Sequence, residues 1–160
     1  MRGDEVSERK ISDRIQLRPS GSYPSFCLDH TKINLVIDCA IKEGEGIYIY
    51  DWKTGKNLSE NLSIQLGCYA LYAMEKWNIP PESLSIIEYN LSFDKSNWFS
   101  VSQEEMKGMK GYIRGSVQDM ESLLIDVGEN IPVEEERFSK VEDEQISLNC
   151  NFRKICKVVP

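Results

Sequence analysis

The chain has 160 residues, of which 41% are hydrophobic, so it is large enough for one domain with a core of its own. Its 19 basic and 26 acidic residues give a net charge of −7, and no apolar run is long enough to span a bilayer. The first ten residues, MRGDEVSERK, carry charges throughout and so do not form the apolar region of a signal peptide.

The N-terminal third of the chain predicts a loop followed by a β-hairpin. Residues 1–31 include the turn-rich stretch RPSGSYPS and read as irregular. KINLVIDCAI, residues 32–41, is an apolar run with one acid, which is typical of a buried strand. The turn EGEG then leads to IYIYDWK, residues 47–53, which is rich in β-branched and aromatic residues. The two runs are therefore expected to pair as neighbouring strands.

The remainder predicts two helices that alternate with strands. LSIQLGCYALYAMEKW, residues 62–77, has helical apolar spacing, with Ser59 as its expected N-cap. Strands are expected at 84–92 and 98–101. Ser102 and Glu105 then form a capping box that starts a helix reaching about Ile125, with Leu124 on its apolar side. The tail after Asn130 is expected to be irregular.

This order of elements predicts an α/β (α+β) fold with a mixed central β-sheet flanked by helices. We expect a single domain over residues 1–160, with an irregular N-terminal segment (1–31), a core (32–126) and a C-terminal tail (127–160).

The strand IYIYDWK carries the residues best suited to catalysis. Asp51 and Lys53 are two positions apart, so their side chains share one face of the sheet, whereas Trp52 points to the other. Asp38, in the neighbouring predicted strand, would lie close to Asp51. Two carboxylates about 4 Å apart repel by roughly 4 kcal/mol at an effective dielectric of ~20. A cation such as Mg²⁺ or Mn²⁺ would relieve this repulsion, because these ions prefer oxygen ligands.

Two readings of this arrangement remain open at this point. A divalent ion with a nearby ammonium is the equipment that phosphodiester hydrolysis needs, since the ion activates water and the ammonium offsets charge in the transition state. An edge-strand salt bridge between Asp51 and Lys53 would produce the same spacing without any catalysis.

The sequence IDCAIKEGEGIYIYDWKTG resembles the PD-(D/E)XK nuclease superfamily, in particular its RecB-like, CRISPR-associated exonuclease-like branch, whose signature is a strand with Asp followed by D-x-K-T-G. Downstream, SIQLGCYALY is similar to the branch's Q-x-x-x-Y motif. The resemblance covers roughly residues 32–157 and implies a restriction-endonuclease-like core. It further implies that Asp38, Asp51 and the backbone carbonyl of Trp52 hold the metal and that Lys53 is catalytic.

In the same resemblance, Gln65 and Tyr69 lie beside the site and orient DNA or Lys53. Their ordinary alternatives are a helix-surface amide and a core aromatic residue, respectively. The implied partner is DNA with single- or double-stranded ends. The net charge of −7 does not favour phosphate contacts, but a bound metal reverses the local sign and leaves DNA as a plausible partner.

The chain departs from the family pattern at two places. Family members place a Glu or His ligand on a helix upstream of the first Asp, and Glu8 and His30 are poor substitutes, so we expect either an incomplete site or a chain that lacks part of its N-terminal helical region. At the other end, Cys150 and Cys156 fit the last two positions of an iron–sulfur pattern whose preceding position here is Ser147.

We expect no iron–sulfur cluster, because four thiolates are normally required. Cys27 could be a third ligand, but Cys39 points away from the Asp38 face and Cys68 lies within a helix. Five cysteines without a secretory signal instead favour reduced thiols and a cytoplasmic location.

The leading functional hypothesis is a metal-dependent DNA nuclease, with exonuclease action, serving DNA repair, recombination or defence. The alternative is a catalytically weak homologue that acts as a DNA-binding or assembly module of a larger complex. A structural α/β domain with a surface ion pair is the third possibility. Metal binding separates the first two from the third, and metal-dependent cleavage separates the first from the second.

Overall fold

The computed structural model describes residues 23–55, 61–138, 146, 150 and 151. These residues form eight strands and two α-helices: β1 (Ser25–Leu28), β2 (Thr31–Asn34), β3 (Cys39–Glu43), β4 (Gly46–Lys53), α1 (Ile64–Lys76), β5 (Leu84–Asn90), β6 (Lys95–Ser100), α2 (Gln103–Glu121), β7 (Leu124–Asp126) and β8 (Ile131–Pro132). Short 3-10 turns occupy Pro81–Ser83 and Glu135–Arg137. The chain divides into two compact units, Met1–Gly115 and Ser116–Pro160, and the division falls within α2.

The first unit contains a four-stranded sheet in the order β3-β4-β5-β6. β3 pairs antiparallel with β4, β4 pairs parallel with β5, and β5 pairs antiparallel with β6. α1 is the crossover between the two parallel strands, as a parallel pair requires. A mixed sheet with helices is the predicted fold class, which is thereby confirmed.

The two faces of the sheet differ because side chains alternate along β4. Ile47, Ile49 and Asp51 are buried on the face that α1 covers. The opposite face carries aromatic rings, among them Trp52, which stacks on Tyr50. The predicted hairpin between β3 and β4 is confirmed, with Glu43 opposite Gly46 and Gly44 at φ +60° in the turn.

α1 is packed on more than one side. Its buried residues include Ala70 and Ala73, which have no exposed surface. Met109 of α2 packs so closely against Gly67 that a Cβ at position 67 would clash with the methyl carbon of Met109. α1 therefore lies between the sheet and the first part of α2.

The helix caps agree with the sequence in one case and differ in the other. The capping box of α2 is confirmed, because Ser102 Oγ accepts from Glu105 N at 3.2 Å and Glu105 Oε2 accepts from Ser102 N at 2.9 Å. The cap of α1 is Ser63, whose hydroxyl accepts from Leu66 N at 3.3 Å. The expected cap, Ser59, lies outside the described residues.

The predicted strand 32–41 was wrong as a continuous element. The chain pairs with β1 as far as Asn34, and Leu35 N still donates to Pro24 O at 3.0 Å. It then leaves this hairpin and joins the main sheet only at Cys39. Four residues, including Asp38, lie between the two strands. Leu35, Ile37 and Ala40 of the run are buried, but the run is divided between two sheets.

The predicted irregular segment 1–31 was also partly wrong, since β1 lies within it. β1 and β2 form a hairpin whose tight turn has Asp29 at φ +53°, a conformation that Asp tolerates better than most residues. The Asp29 carboxylate accepts from Arg114 Nε of α2 at 2.7 Å, and this ion pair lowers the pKa of Asp29. The turn is thereby tied to α2.

The second unit begins within α2 and continues into a hairpin. α2 ends at Glu121, four residues before the predicted end, because Leu123 N bonds back to Met120 O and the chain then turns into β7. Leu124 therefore belongs to a strand that pairs with β8, and the tail after Asn130 is not wholly irregular. No helix in the described part of the chain combines the length and apolar character of a membrane span.

Candidate active site

The end of β4 brings an acidic and a basic residue into direct contact. Asp51 Oδ2 lies 2.6 Å from Lys53 Nζ, as expected for side chains two positions apart on one face of a strand. Asp51 is buried, with 2% of its surface exposed, whereas the Lys53 side chain is 32% exposed. The ion pair therefore has a buried anion and a cation that reaches solvent.

Gln65, in the first turn of α1, bridges the two members of this pair. Its Oε1 accepts from Lys53 Nζ at 3.1 Å, and its Nε2 donates to Asp51 Oδ1 at 3.2 Å. A flipped amide would face an ammonium with NH₂ and a carboxylate with oxygen, so the charges fix its orientation. Gln65 is thus held on both sides rather than lying as a free helix-surface amide.

Tyr69, one turn further along α1, completes the network. Its hydroxyl accepts from Gln65 Nε2 at 2.7 Å and donates to Val36 O at 2.6 Å, and it lies 3.4 Å from Asp51 Oδ1. Burial raises the pKa of Tyr69 to about 12, and the nearby Asp51 charge acts in the same direction. The phenol therefore remains neutral at physiological pH. Tyr69 is a core residue as well as a member of the network, since only 3% of its surface is exposed.

Asp38 joins this region from outside the strand. The expectation that it sits within a strand was wrong: it precedes β3 by one residue, and its Oδ2 accepts from Trp52 N at 2.9 Å. Since Cys39 pairs with Tyr50, Asp38 continues the same register toward Asp51. A side-chain oxygen here takes the place of a ladder carbonyl.

The oxygen atoms at this place fit a hard divalent cation. Asp51 Oδ2 is buried, and the close contact that the described residues give it is the Lys53 ammonium at 2.6 Å. The N–H and C=O of one strand residue point to the same side, so the Trp52 carbonyl faces the side on which Asp38 lies.

Among the described residues, no three His, Cys, Asp or Glu side chains are grouped to hold a metal. Mg²⁺ is commonly bound by one or two carboxylates, with water and substrate phosphate completing the shell. Asp38, Asp51 and the Trp52 carbonyl suit this mode of binding.

Several other residues were considered from the sequence, and the structure describes only some of them. His30 is exposed in the β1–β2 turn, and Glu8 lies outside the described residues. Of the iron–sulfur candidates, Cys27 is exposed on β1, and Cys156 and Ser147 lie outside the described residues. Cys150 is half-buried; Cys68 lies in α1, where burial raises the pKa of its thiol.

Two buried polar residues of β5 were missed. Glu88 is the register partner of Asp51, and Asn90 is the register partner of Lys53; both are almost fully buried. The signal lay in the pattern of LSIIEYN, where every second residue shares one face of the strand: Leu84, Ile86, Glu88 and Asn90. Polar residues at apolar positions of a buried strand mark contact with a polar site.

Comparison with protein-family models identifies a family for the chain. The family model of the PD-(D/E)XK nuclease superfamily matches residues 8–157, which are 150 of the 160 residues. No curated protein and no solved structure matches the chain.

Proposed function

The chain belongs to the PD-(D/E)XK nuclease superfamily, and from this premise we propose that it is a Mg²⁺- or Mn²⁺-dependent deoxyribonuclease. We propose exonuclease action on linear DNA, of the RecB-like kind, in the cytoplasm, serving DNA repair, recombination or defence. The superfamily supports nuclease chemistry; the choice of DNA, the exonuclease mode and the metal are part of this proposal.

One observation carries the proposal: Asp51 is buried, in contact with Lys53 and bound by Gln65. A salt bridge on the protein surface would expose both partners to water and would contribute little to the free energy of folding. β4 is moreover an interior strand between β3 and β5, so this ion pair does not lie on an edge strand. Burying a carboxylate costs free energy. The burial of Asp51 at the position of a family motif therefore supports a functional role for its charge.

Each residue of the network has a distinct role in the proposed reaction. Asp38, Asp51 and the Trp52 carbonyl would hold the cation, which when bound lowers the pKa of a water and polarises the phosphate. The Lys53 ammonium offsets negative charge that develops on the phosphate in the transition state. Gln65 holds Lys53 at the site, and the neutral hydroxyl of Tyr69 fixes Gln65 through its bond to Val36 O.

A catalytically weak homologue that binds DNA or assembles with other subunits is the second candidate. The observation that favours it is the ligand set, since the described residues supply two carboxylates but no third His, Cys, Asp or Glu grouped with them. Such a protein would bind DNA, and even the metal, without cleaving.

The test is cleavage of linear single-stranded, linear double-stranded and covalently closed circular DNA with Mg²⁺, Mn²⁺ or EDTA. The wild type is expected to degrade linear DNA from its ends only when a metal is present. Asp51→Asn is expected to abolish cleavage and metal binding together. Asp119→Asn, which changes an exposed Asp of α2, is the matched control and should behave as the wild type.

The outcomes separate the candidates. Cleavage of circular DNA would replace the exonuclease mode with an endonuclease mode. DNA binding without cleavage by any form would establish the second candidate. Cleavage that persists in EDTA, or in Asp51→Asn, would refute the proposed mechanism.

A further inference from the structure

The turn between β5 and β6 is bonded to the end of β4 and to the two residues after it, at three successive carbonyl groups. Leu91 N donates to Lys53 O at 2.8 Å, Ser92 Oγ to Thr54 O at 3.3 Å, and Asn90 Nδ2 to Gly55 O at 2.7 Å. Three consecutive residues, 90–92, thus bind the carbonyls of three consecutive residues, 53–55. The turn is fixed to the chain that leaves Lys53.

The turn is also held internally by the same buried amide. Asn90 Oδ1 accepts from Ser92 N at 2.9 Å and from Phe93 N at 3.1 Å. The Asn90 side chain, 1% exposed, therefore sets the backbone of residues 92 and 93 while it binds Gly55. Hydrogen bonds through Asn90 and Leu91 therefore link the backbone of Phe93 to that of Lys53.

Large apolar side chains are exposed on the segments that bond to the active-site network. Leu91 is 58% exposed and Phe93 54% exposed. Val36, whose carbonyl binds Tyr69, and Ile64, which precedes Gln65, are exposed as well. Single exposed apolar residues need no explanation, but four on segments that adjoin the same polar network suit a ligand with apolar surface.

A cation accompanies this apolar surface. Lys53, Asn90 and Lys95 are register partners across β4, β5 and β6, so they form a row on one face of the sheet. Lys95 is exposed and lies two strands from Lys53, a separation of about 10 Å. Lys95 can therefore meet a different phosphate from the one that Lys53 serves.

We propose that the β5–β6 turn is a nucleotide subsite, in which Phe93 stacks on a base of the DNA strand and Lys95 binds a phosphate neighbouring the scissile one. The subsite rests on the proposed function, because it takes its ligand from the DNA held at Lys53. An aromatic ring accepts any base, so the contact is not sequence-specific. A base can offer its face to Phe93 only when it is unstacked, so the subsite selects single-stranded or frayed ends.

The experiment measures binding of a short single-stranded oligonucleotide with phosphorothioate linkages, which resist cleavage, in the presence of Mg²⁺. A 2-aminopurine base reports stacking through quenching of its fluorescence, and the salt dependence of the affinity reports phosphate contacts. Phe93→Ala is expected to weaken binding about tenfold, to lose the quenching and to leave the salt dependence unchanged. Lys95→Gln is expected to keep the quenching and to reduce the slope of log K against log salt by about 0.7.

Two controls match these variants. Trp98→Ala removes an exposed ring whose register partner, Ile87, places it on the sheet face opposite Asp51, and Lys107→Gln removes an exposed charge from α2. Both should bind as the wild type. Phe93→Trp should restore the binding and the quenching that Phe93→Ala loses.

Failure of the subsite is distinguishable from failure of the proposed nuclease. A wild type that binds and stacks DNA but cleaves none would keep the subsite and lose the activity. If the wild type cleaves DNA, and Phe93→Ala matches the wild type in affinity and in fluorescence quenching, the activity is kept and the subsite is overturned. Equal losses in Phe93→Ala and Trp98→Ala would also overturn it, and absence of all DNA binding would overturn both proposals.

Discussion

Replacing Lys53 with Ala is expected to change metal affinity and activity in opposite directions. Lys53 Nζ is 2.6 Å from Asp51 Oδ2, the oxygen that no other described group binds through a hydrogen bond. A metal ion coordinated by this oxygen would have to displace the ammonium from it. Lys53 would therefore compete with a metal ion for Asp51, although the proposed reaction needs both.

The magnitude follows from the geometry. Two unit charges 2.6 Å apart attract by about 6 kcal/mol at an effective dielectric of ~20. Desolvation of Asp51 and the access of water to Lys53, whose side chain is 32% exposed, leave a net contribution of about 1 kcal/mol. Removing the competing ammonium should therefore strengthen metal binding by up to about fivefold. The rate should fall by about 10²–10³, the usual effect of losing one group that stabilises transition-state charge.

The assay combines calorimetric titration of Mg²⁺ and Mn²⁺ with the initial rate of DNA cleavage at saturating metal. Lys107→Ala, which removes an exposed lysine of α2, controls for the change in net charge and should alter neither quantity. Weaker metal binding in Lys53→Ala would mean that Lys53 organises the ligands instead of competing with the metal. Full activity of the variant would remove Lys53 from the mechanism altogether.

Three further predictions concern single groups. Tyr69 has its pKa raised to about 12 from 10, so its contribution is fully present below pH 10 and is lost as the pH rises to 12. The free energy of unfolding in urea should fall by at most about 2.7 kcal/mol over this range in the wild type, and this part should be absent in Tyr69→Phe. Ser63→Ala removes the cap of α1 and should lower the unfolding free energy by about 1 kcal/mol in the same assay. Asp38→Asn keeps an acceptor for Trp52 N and should lose metal affinity in calorimetry without loss of stability, whereas Asp38→Ala should lose both.

The parts of the site that could be predicted from the sequence depend on short-range geometry. The alternation of side chains along a strand puts Asp51 and Lys53 on one face of β4. The spacing of a helix puts Gln65 and Tyr69 on one face of α1. These spacings hold wherever the elements lie. The order of strand, helix and strand then brings the two pairs together, because a crossover helix covers the sheet that it connects.

The parts that could not be predicted depend on choices between competing partners. The run 32–41 is apolar enough for one buried strand, but its first residues find a partner in β1 and its last in β4. The end of α2 was misplaced because Leu124 fits the helical period as well as it fits a strand that pairs with β8. Periodicity alone cannot choose between such partners. The hydrogen bonds from residues 90–92 to residues 53–55 join segments that are distant in sequence, so no local sequence pattern predicts them.

The break before β3 lets one oxygen of the Asp38 carboxylate bond to the sheet and leaves the other for the proposed metal. A side chain within a strand stands roughly perpendicular to the sheet and cannot accept from the N–H of the neighbouring strand. Because Asp38 lies just before β3, its Oδ2 reaches Trp52 N, which extends the β3–β4 ladder by one bond. The carboxylate has a second oxygen, and the Trp52 carbonyl points to the same side. The bond that ends the ladder thus also places an acidic oxygen next to the strand that bears Asp51. An uninterrupted strand through Asp38, as the sequence predicts, would lack this bond and would leave the position of the carboxylate to side-chain rotation alone.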